Sequence, residues 1–401
     1  MNLVHLAWSY LKARPLGTLL NVLLLALGVG TIGFVFLVDR QIGERLDRDA
    51  RGIDLVVGAK GSPLQLILAG IYHLDAPTGN IPLEAARTLE ANPLVRKVIP
   101  LSLGDTLRGF RIVGTIPAYV ELYGGELESG RVFGATLEAV LGSSVARTTR
   151  LGVGDRFAGS HGLAEGGAEH ADAYVVVGIL KPTGTVLDRL VLVSTESVWH
   201  VHEGHAAGNA AAEHEHRDDD REVTVLLVRY ASPIAAASLP RKINAETNLQ
   251  AASPAYESAR LFRMIGVGAD VIRAFGGVVL ATAALSLFIA LYHALNERAY
   301  DIAVLRTLGA HPSSIAVMVL LEALTLAILG SAVGLLLAHG LVAVLAWWMS
   351  QQESLRISAW SFSPGELWLL VPAFLAAVLA ALLPSWRAAR ANISATLARR
   401  L

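Results

Sequence analysis

Long uncharged apolar runs alternate in this chain with one extended polar stretch. Gly17 to Val38 is 22 residues without a charge, about 33 Å as a helix, enough to cross a hydrocarbon core of about 30 Å. A second such run covers Ala274 to Asn296. A third opens near Ile315, tolerates Glu322 and stays uncharged from Ala323 to Gln352, and a fourth covers Leu367 to Leu383 and stops at Pro384. The pattern predicts a membrane α-helical protein with four transmembrane helices, over 17–38, 272–295, 315–349 and 367–383. They are joined by an N-terminal segment (1–16), a short loop (296–314), a second loop (350–366) and a tail (384–401). Four spans put both termini on one side.

Between spans one and two lie residues 39–270, long enough to fold around their own core. Asp39 to Arg51 reads as a charged helix continuing the first span. Short or alternating apolar runs at Ile53–Val57, Val95–Leu101, Leu107–Val113, Tyr174–Leu180, Leu190–Val193 and Val223–Tyr230 predict strands. Pro82–Ala91 and Pro233–Thr247 carry proline in their first turn and predict helices, and Ser258–Asp270 predicts a helix leading into span two. The expected insert is a large α+β domain. Two small, polar stretches, Gly159–Asp172 and Val201–Arg221, are expected to be long loops.

Charge sharpens this division. The net charge of -1 conceals 29 acidic and 24 basic residues between Asp39 and Arg273, against 5 acidic and 9 basic elsewhere. Lys12, Arg14, Arg298, Arg306, Arg387, Arg390, Arg399 and Arg400 all fall on one face of the predicted membrane layout, so the positive-inside rule makes that face, with both termini, cytoplasmic. A 22-residue first run ending in Val-Asp-Arg without a small-x-small site fits an uncleaved anchor better than a cleaved signal peptide. The absence of cysteine excludes disulfides and thiolate chemistry, and the near-zero net charge gives no electrostatic case for nucleic acid. No serine elbow, HExxH or nucleotide-binding motif occurs. Val57-Gly-Ala-Lys-Gly-Ser-Pro63 has the glycines of a phosphate loop but not its Gly-Lys-Ser/Thr ending.

Seven of the twelve histidines lie between His161 and His216. His200, His202 and His205 make an HxHxxH array, and His214 and His216 sit beside Asp218, Asp219 and Asp220, all within the His-rich stretch 200–220. Imidazole with nearby carboxylate suits zinc or another divalent transition metal; a solvated low-complexity insert has the same composition.

Three segments resemble permeases of the MacB/LolC/FtsX type, the mechanotransmission class of ABC systems. They are Asn296-Glu-Arg-Ala-Tyr-Asp-Ile-Ala-Val-Leu-Arg-Thr-Leu-Gly-Ala310, Glu322 within Val319-Leu-Leu-Glu-Ala323 followed by Gly330 and Gly334, and Pro384-Ser-Trp-Arg-Ala-Ala-Arg390 with Ala395 to Leu397. Leu141–Ala146, Leu151–Phe157 and Val177–Gly184 resemble part of the family's external domain. The resemblance implies a transport subunit in the inner membrane, without enzymatic activity or a directly bound cofactor, with ATP on a cytoplasmic ABC ATPase. It also implies a second permease chain, identical or related, and a periplasmic adaptor or lipoprotein carrier as partner.

By that resemblance Glu297, Arg298, Asp301, Ile302, Leu305, Arg306, Leu308 and Gly309 form the ATPase-coupling segment, with its apolar members at roughly helical spacing. Glu322 would cost about 2.5–3.5 kcal/mol at the bilayer centre. Two readings fit it: an interior contact linking the coupling segment to the spans, or an acid that snorkels to the interface. The implied substrate is a lipoprotein, peptide or small hydrophobic molecule moved on the outer side of the membrane. An envelope signalling protein that regulates a periplasmic hydrolase or responds to metal ions is the competing function.

Overall fold

The computed structural model describes residues 3–162, 169–206, 221–350 and 358–390. In chain order the helices are α1 (Leu3–Ala13), α2 (Pro15–Asp49), α3 (Pro63–Gly70), α4 (Glu84–Glu90), α5 (Ala118–Leu122), α6 (Ser143–Thr149), α7 (Thr195–Ala206), α8 (Pro233–Glu246), α9 (Pro254–Glu297), α10 (Ala299–Thr307), α11 (Pro312–Ser350) and α12 (Leu370–Ala389). The strands are β1 (Leu55–Ala59), β2 (Ile81–Pro82), β3 (Val95–Leu107), β4 (Phe110–Thr115), β5 (Leu127–Gly130), β6 (Glu138–Leu141), β7 (Arg156–His161), β8 (Glu169–Leu180), β9 (Leu190–Ser194), β10 (Glu222–Val223), β11 (Val225–Tyr230) and β12 (Leu249–Ala252). Chain contacts divide them into two units, Met1–Ile42 with Ile265–Leu401, and Gly43–Met264.

Among the described residues of the whole chain, four helices are long and apolar enough to cross a membrane: Pro15–Asp49, Pro254–Glu297, Pro312–Met349 and Pro364–Ala389. The last opens as a 3-10 turn over Pro364–Leu369. It does not stop at Pro384, as the sequence suggested, but continues through that residue to Ala389. The helical unit buries Leu25 and Val29 of α2, Leu280, Ala283 and Leu287 of α9, Val319, Ala323 and Ala327 of α11, and Ala373, Ala377 and Ala381 of α12 in one core. Small residues set the spacing of its helices. A Cβ at Gly334 would stand 2.9 Å from the Ala26 carbonyl oxygen, and one at Gly330 2.6 Å from the Leu25 Cβ. The Gly330–Gly334 pair is thus spent on the α2–α11 contact within the chain.

The other unit is built on a ten-stranded sheet with the path β12-β1-β11-β3-β4-β9-β6-β8-β5. The long β3 serves two cores. Its first half pairs with β11, from Val95 to Leu101, beside a core of Leu55, Val57, Val98, Leu226, Val228, Leu239 and Ile243 that α4 and α8 help to cover. Its second half pairs with β4, and β7 pairs with both β3 and β8. The pairings β3–β4–β9–β6–β8–β7–β3 therefore close on themselves, and β5 adds to β8 outside that ring. Inside lie Leu107, Phe110, Ile112, Leu141, Phe157, Tyr174, Val176, Val191 and Val193, with Val201 of α7 over them. The parallel pairs β4–β9 and β6–β8 make the domain a mixed α/β one. The stretch Gly159–Asp172, expected to be a loop, is strand at both ends: β7 runs to His161 and β8 starts at Glu169.

Candidate functional site

Two buried polar constellations, one in each unit, and one histidine cluster are the candidate working parts. In the helical unit, Arg298 sits between the end of α9 and the start of α10. Its guanidinium Nη1 donates to Glu322 Oε2 of α11 at 3.2 Å, and both residues are buried, with 8% and 6% exposure. The same guanidinium lies 3.8 Å from the ring centroid of Tyr10 of α1, a cation–π contact, and donates to the Tyr10 carbonyl at 3.5 Å. One side chain thus ties α10 to α1 and α11, and Glu322 is buried against it.

The rest of the expected coupling segment divides by face. Ile302 and Ala303 are buried in the helical core, Leu305 is half-buried, and Arg306 donates to the Ala389 carbonyl at the end of α12 at 3.0 Å. Glu297 pairs with Arg14. Asp301 is exposed, as is Leu308 at 79%. Gly309 follows at φ 96°, the left-handed conformation that ends a helix with least strain when it is glycine. The helix therefore has a packed face and a solvent face, the latter carrying an apolar side chain at its end. At the other end of this unit, His339 bonds the Ala359 carbonyl at 2.7 Å through Nδ1 and Glu366 at 3.0 Å through Nε2. A structural hydrogen bond accounts for it.

The second constellation lies in the external unit where α2 ends. Asp49, 1% exposed, accepts the Val186 N–H at 2.8 Å, with the Arg189 guanidinium 4.0 Å away. Its backbone carbonyl accepts from the Tyr123 hydroxyl at 2.7 Å. Tyr72 pairs with Ser258 of α9 at 2.8 Å and its carbonyl accepts from Arg189 at 3.0 Å. His73 Nε2 lies 3.1 Å from the Tyr119 hydroxyl. Burial pushes the Asp49 carboxyl above its ordinary range, partly offset by Arg189. Burial, with the Arg111 and Arg189 charges, holds the His73 imidazole well below its own, so His73 is neutral at pH 7. Nothing in the spacing of these residues marked them in the sequence, because they come from five separate segments.

The histidine cluster is different from the one the sequence suggested. Gly104 is the extra residue of a bulge in β3, where the register passes from Leu103 opposite Val113 to Asp105 opposite Ile112. The bulge turns Asp105 to the core face, since Ile112 belongs to that core. His161 of β7 stands directly across from Asp105, and His170 opens β8 beside it, the two rings 4.0 Å apart. α7, packed over the same core through Val198 and Val201, adds His202. Asp105 Oδ1 is 3.3 Å from His161 Nδ1, 3.1 Å from His170 Nε2 and 3.6 Å from His202 Nε2. One donor atom from each of the four residues lies within 4.8 Å of the others, so the group could hold a metal ion.

Of the residues singled out for metal, only His202 belongs to this cluster. His200, two positions away on the helix, is exposed and lies 4.0 Å from Asp172. The side chain of His205 and the whole of His214 and His216 lie outside the described residues. Val57–Pro63 is resolved as a turn from β1 into α3: the Ser62 hydroxyl caps α3 through the Gln65 N–H. Lys60 donates to the carbonyls of Asn244, Thr247 and Leu249 at 2.8, 3.1 and 3.0 Å. Those last carbonyls of α8 and the start of β12 explain the lysine without a phosphate.

A large α/β domain placed between the first and second of four apolar helices defines a membrane protein of permease type. The family model for the MacB-like periplasmic core domain matches residues 18–267, and that for the FtsX-like permease C-terminal matches residues 273–393. The chain belongs to the MacB/FtsX-like ABC permeases. Among solved structures it is similar to the periplasmic region of MacB from Actinobacillus actinomycetemcomitans, with 11% identity, 53% of this chain and 95% of that chain covered, and a TM-score of 0.34. It is also similar to the extracellular domain of the noncanonic ABC-type transporter YknZ from Gram-positive bacteria, with 13% identity, coverage of 50% and 98%, and a TM-score of 0.30. A comparison with curated proteins gave no match.

Proposed function

We propose that this ABC permease couples ATP hydrolysis by a separate cytoplasmic ATPase to movement of its periplasmic domain. Its substrate would be a lipoprotein, peptide or small hydrophobic molecule on the outer side of the inner membrane. In this reading the spans cover 17–38, 272–295, 315–349 and 367–383, with both termini and α10 in the cytoplasm, as the basic residues near the span ends favour. The permease acts as a pair with a second chain of the same kind. The observation that supports coupling is the two-faced α10. Its inner face is fastened to α1 and α11 through Arg298, while Leu308 and Asp301 remain exposed. A short helix held in this way passes a push on its outer face to the helices it is anchored to.

Leu308→Asp, in the full chain expressed with its ATPase, tests this reading. Placing a charge at the centre of an apolar contact removes about 2 kcal/mol or more, roughly 30-fold in affinity, so co-purification and permease-stimulated ATP hydrolysis are expected to be lost while the permease stays folded in the membrane. Unchanged association and hydrolysis would remove α10 as the coupling element.

A further inference from the structure

We propose that Asp105, His161, His170 and His202 form a four-ligand zinc(II) site that clips α7 to strands β3, β7 and β8 of the periplasmic domain. Zinc bonds of about 2.0–2.1 Å to imidazole and carboxylate in a tetrahedron put neighbouring donor atoms about 3.3 Å apart. The three nitrogens stand 3.1, 3.3 and 3.6 Å from Asp105 Oδ1, close to that edge length on every side that includes the carboxylate.

A plain ion-pair or hydrogen-bond network explains these positions less well. Asp105 is 3% exposed, yet among the described residues neither of its oxygens accepts a hydrogen bond, although three ring nitrogens are within reach. The three nitrogens gather within 3.6 Å of one oxygen without a hydrogen bond to it. A buried carboxylate left in that state is costly unless a cation compensates it. His202 is prepared for the role: its Nδ1 lies 2.8 Å from the Val198 carbonyl, which only accepts, so the proton sits on Nδ1 and the Nε2 lone pair faces Asp105. Metal-bound histidines are commonly oriented by such a bond. Gly159 keeps the space behind the cluster open, since a Cβ there would meet Ile112 Cδ1 at 2.9 Å and His170 Cδ2 at 3.6 Å.

The donor set selects the ion. Three imidazoles and one carboxylate suit zinc rather than magnesium or calcium, which take oxygen ligands. Four protein ligands close the coordination shell, which is the arrangement of structural zinc rather than of a hydrolytic centre with a bound water. The side chains of His161 and His202 are each 41% exposed while those of Asp105 and His170 are 2% and 0%. The ion therefore has an open side by which to enter and leave.

The test uses the full chain in detergent micelles, stripped with a chelator and titrated with zinc(II) and, separately, with cobalt(II) as a spectroscopic substitute. Expected are one zinc per chain and the intense visible bands of tetrahedral cobalt. Asp105→Asn and His170→Gln should weaken binding by about 100-fold or more, since loss of an outer partner alone costs about 10–100-fold. A variant with His205, His214 and His216 all changed to alanine should bind as the unchanged chain does. His202→Gln, on the exposed side of α7, gives the same readout if the core substitutions prevent folding, which thermal unfolding of the metal-free proteins would reveal. Equal zinc affinity in His202→Gln and the unchanged chain, pale six-coordinate cobalt, or binding lost only in the triple variant would each overturn the site.

Discussion

Glu322 and Asp49 are both carboxylates with almost no exposed surface, one in the helical unit and one in the external unit, and they are kept there by different means. Glu322 has a guanidinium against it at 3.2 Å, and that guanidinium is itself held by an aromatic face and a carbonyl. Asp49 relies on a backbone N–H at 2.8 Å and keeps its arginine at 4.0 Å. At Glu322 an opposite charge in direct contact compensates the buried acid. A sheet domain has irregular connections whose N–H groups can do part of that work. Glu322 therefore depends on one ion pair, and Asp49 on a network.

The contrast breaks most visibly at Arg298. Arg298→Ala leaves Glu322 buried without its partner and is expected to destabilise the helical unit by about 3–5 kcal/mol, seen as a large loss of thermal stability in micelles. Replacing both residues by leucine should recover most of that stability, while permease-stimulated ATP hydrolysis should stay low because α10 is no longer tied to α11. Recovery of full coupling in the double variant would mean that the pair serves stability alone.

A smaller effect is expected at Asp49. Asp49→Ala removes the acceptor of the Val186 N–H and should cost about 1–3 kcal/mol. Asp49→Asn keeps an acceptor and removes the charge whose burial is unfavourable, so above the range where Asp49 ionises it should be close to neutral or mildly stabilising. The sign follows from linkage. A carboxyl raised on folding binds its proton more tightly in the native state, so its ionisation lowers stability as pH rises through the gap between the two values. A large loss in both variants would show that Asp49 works as a charge partner of Arg189 instead.

The smallest expected effect is a pH dependence confined to the external unit. His73 has its imidazole held well below its ordinary value, and among the described residues its Nδ1 has no hydrogen-bond partner. The unfolded chain takes up a proton there near pH 6.5, which the folded chain resists, so stability is fully present above about pH 6.5 and is lost as pH falls, by at most about 1.4 kcal/mol per unit. Thermal unfolding of the full chain between neutral and mildly acidic pH should show this loss, and His73→Gln should flatten it. An unaltered slope in that variant would assign the acid sensitivity to other groups.

These nodes show where sequence reading was sufficient and where it was not. Glu322 and Arg298 stand out in a linear scan because a charge is conspicuous in or beside an apolar run, and the family resemblance marked both. Their pairing was not legible, since 24 residues separate them and only the packing of α11 beside α10 brings them together. Ile302 and Leu308 looked alike as apolar positions of one short helix. The fold sends one into the core and leaves the other in solvent. The histidines mislead more strongly: HxHxxH is conspicuous as a string, but positions two apart on a helix point in different directions, so His200 and His202 part company. Asp105, His161 and His170 come together through a bulge and two strand registers, which carry no local signature.

The amino-acid order alone determined the features that depend on length and hydropathy. Four runs are long enough to cross a membrane, one polar insert is large enough to fold, and the alternation of that insert marks most of its strands. Transfer free energy acts residue by residue and is therefore readable in one dimension. Tertiary structure alone decided which charges meet, which face of α10 is free, and which three histidines gather around Asp105. Those outcomes depend on distances of a few ångströms between segments remote in the chain, and contact energies at that range are set by register and packing rather than by composition.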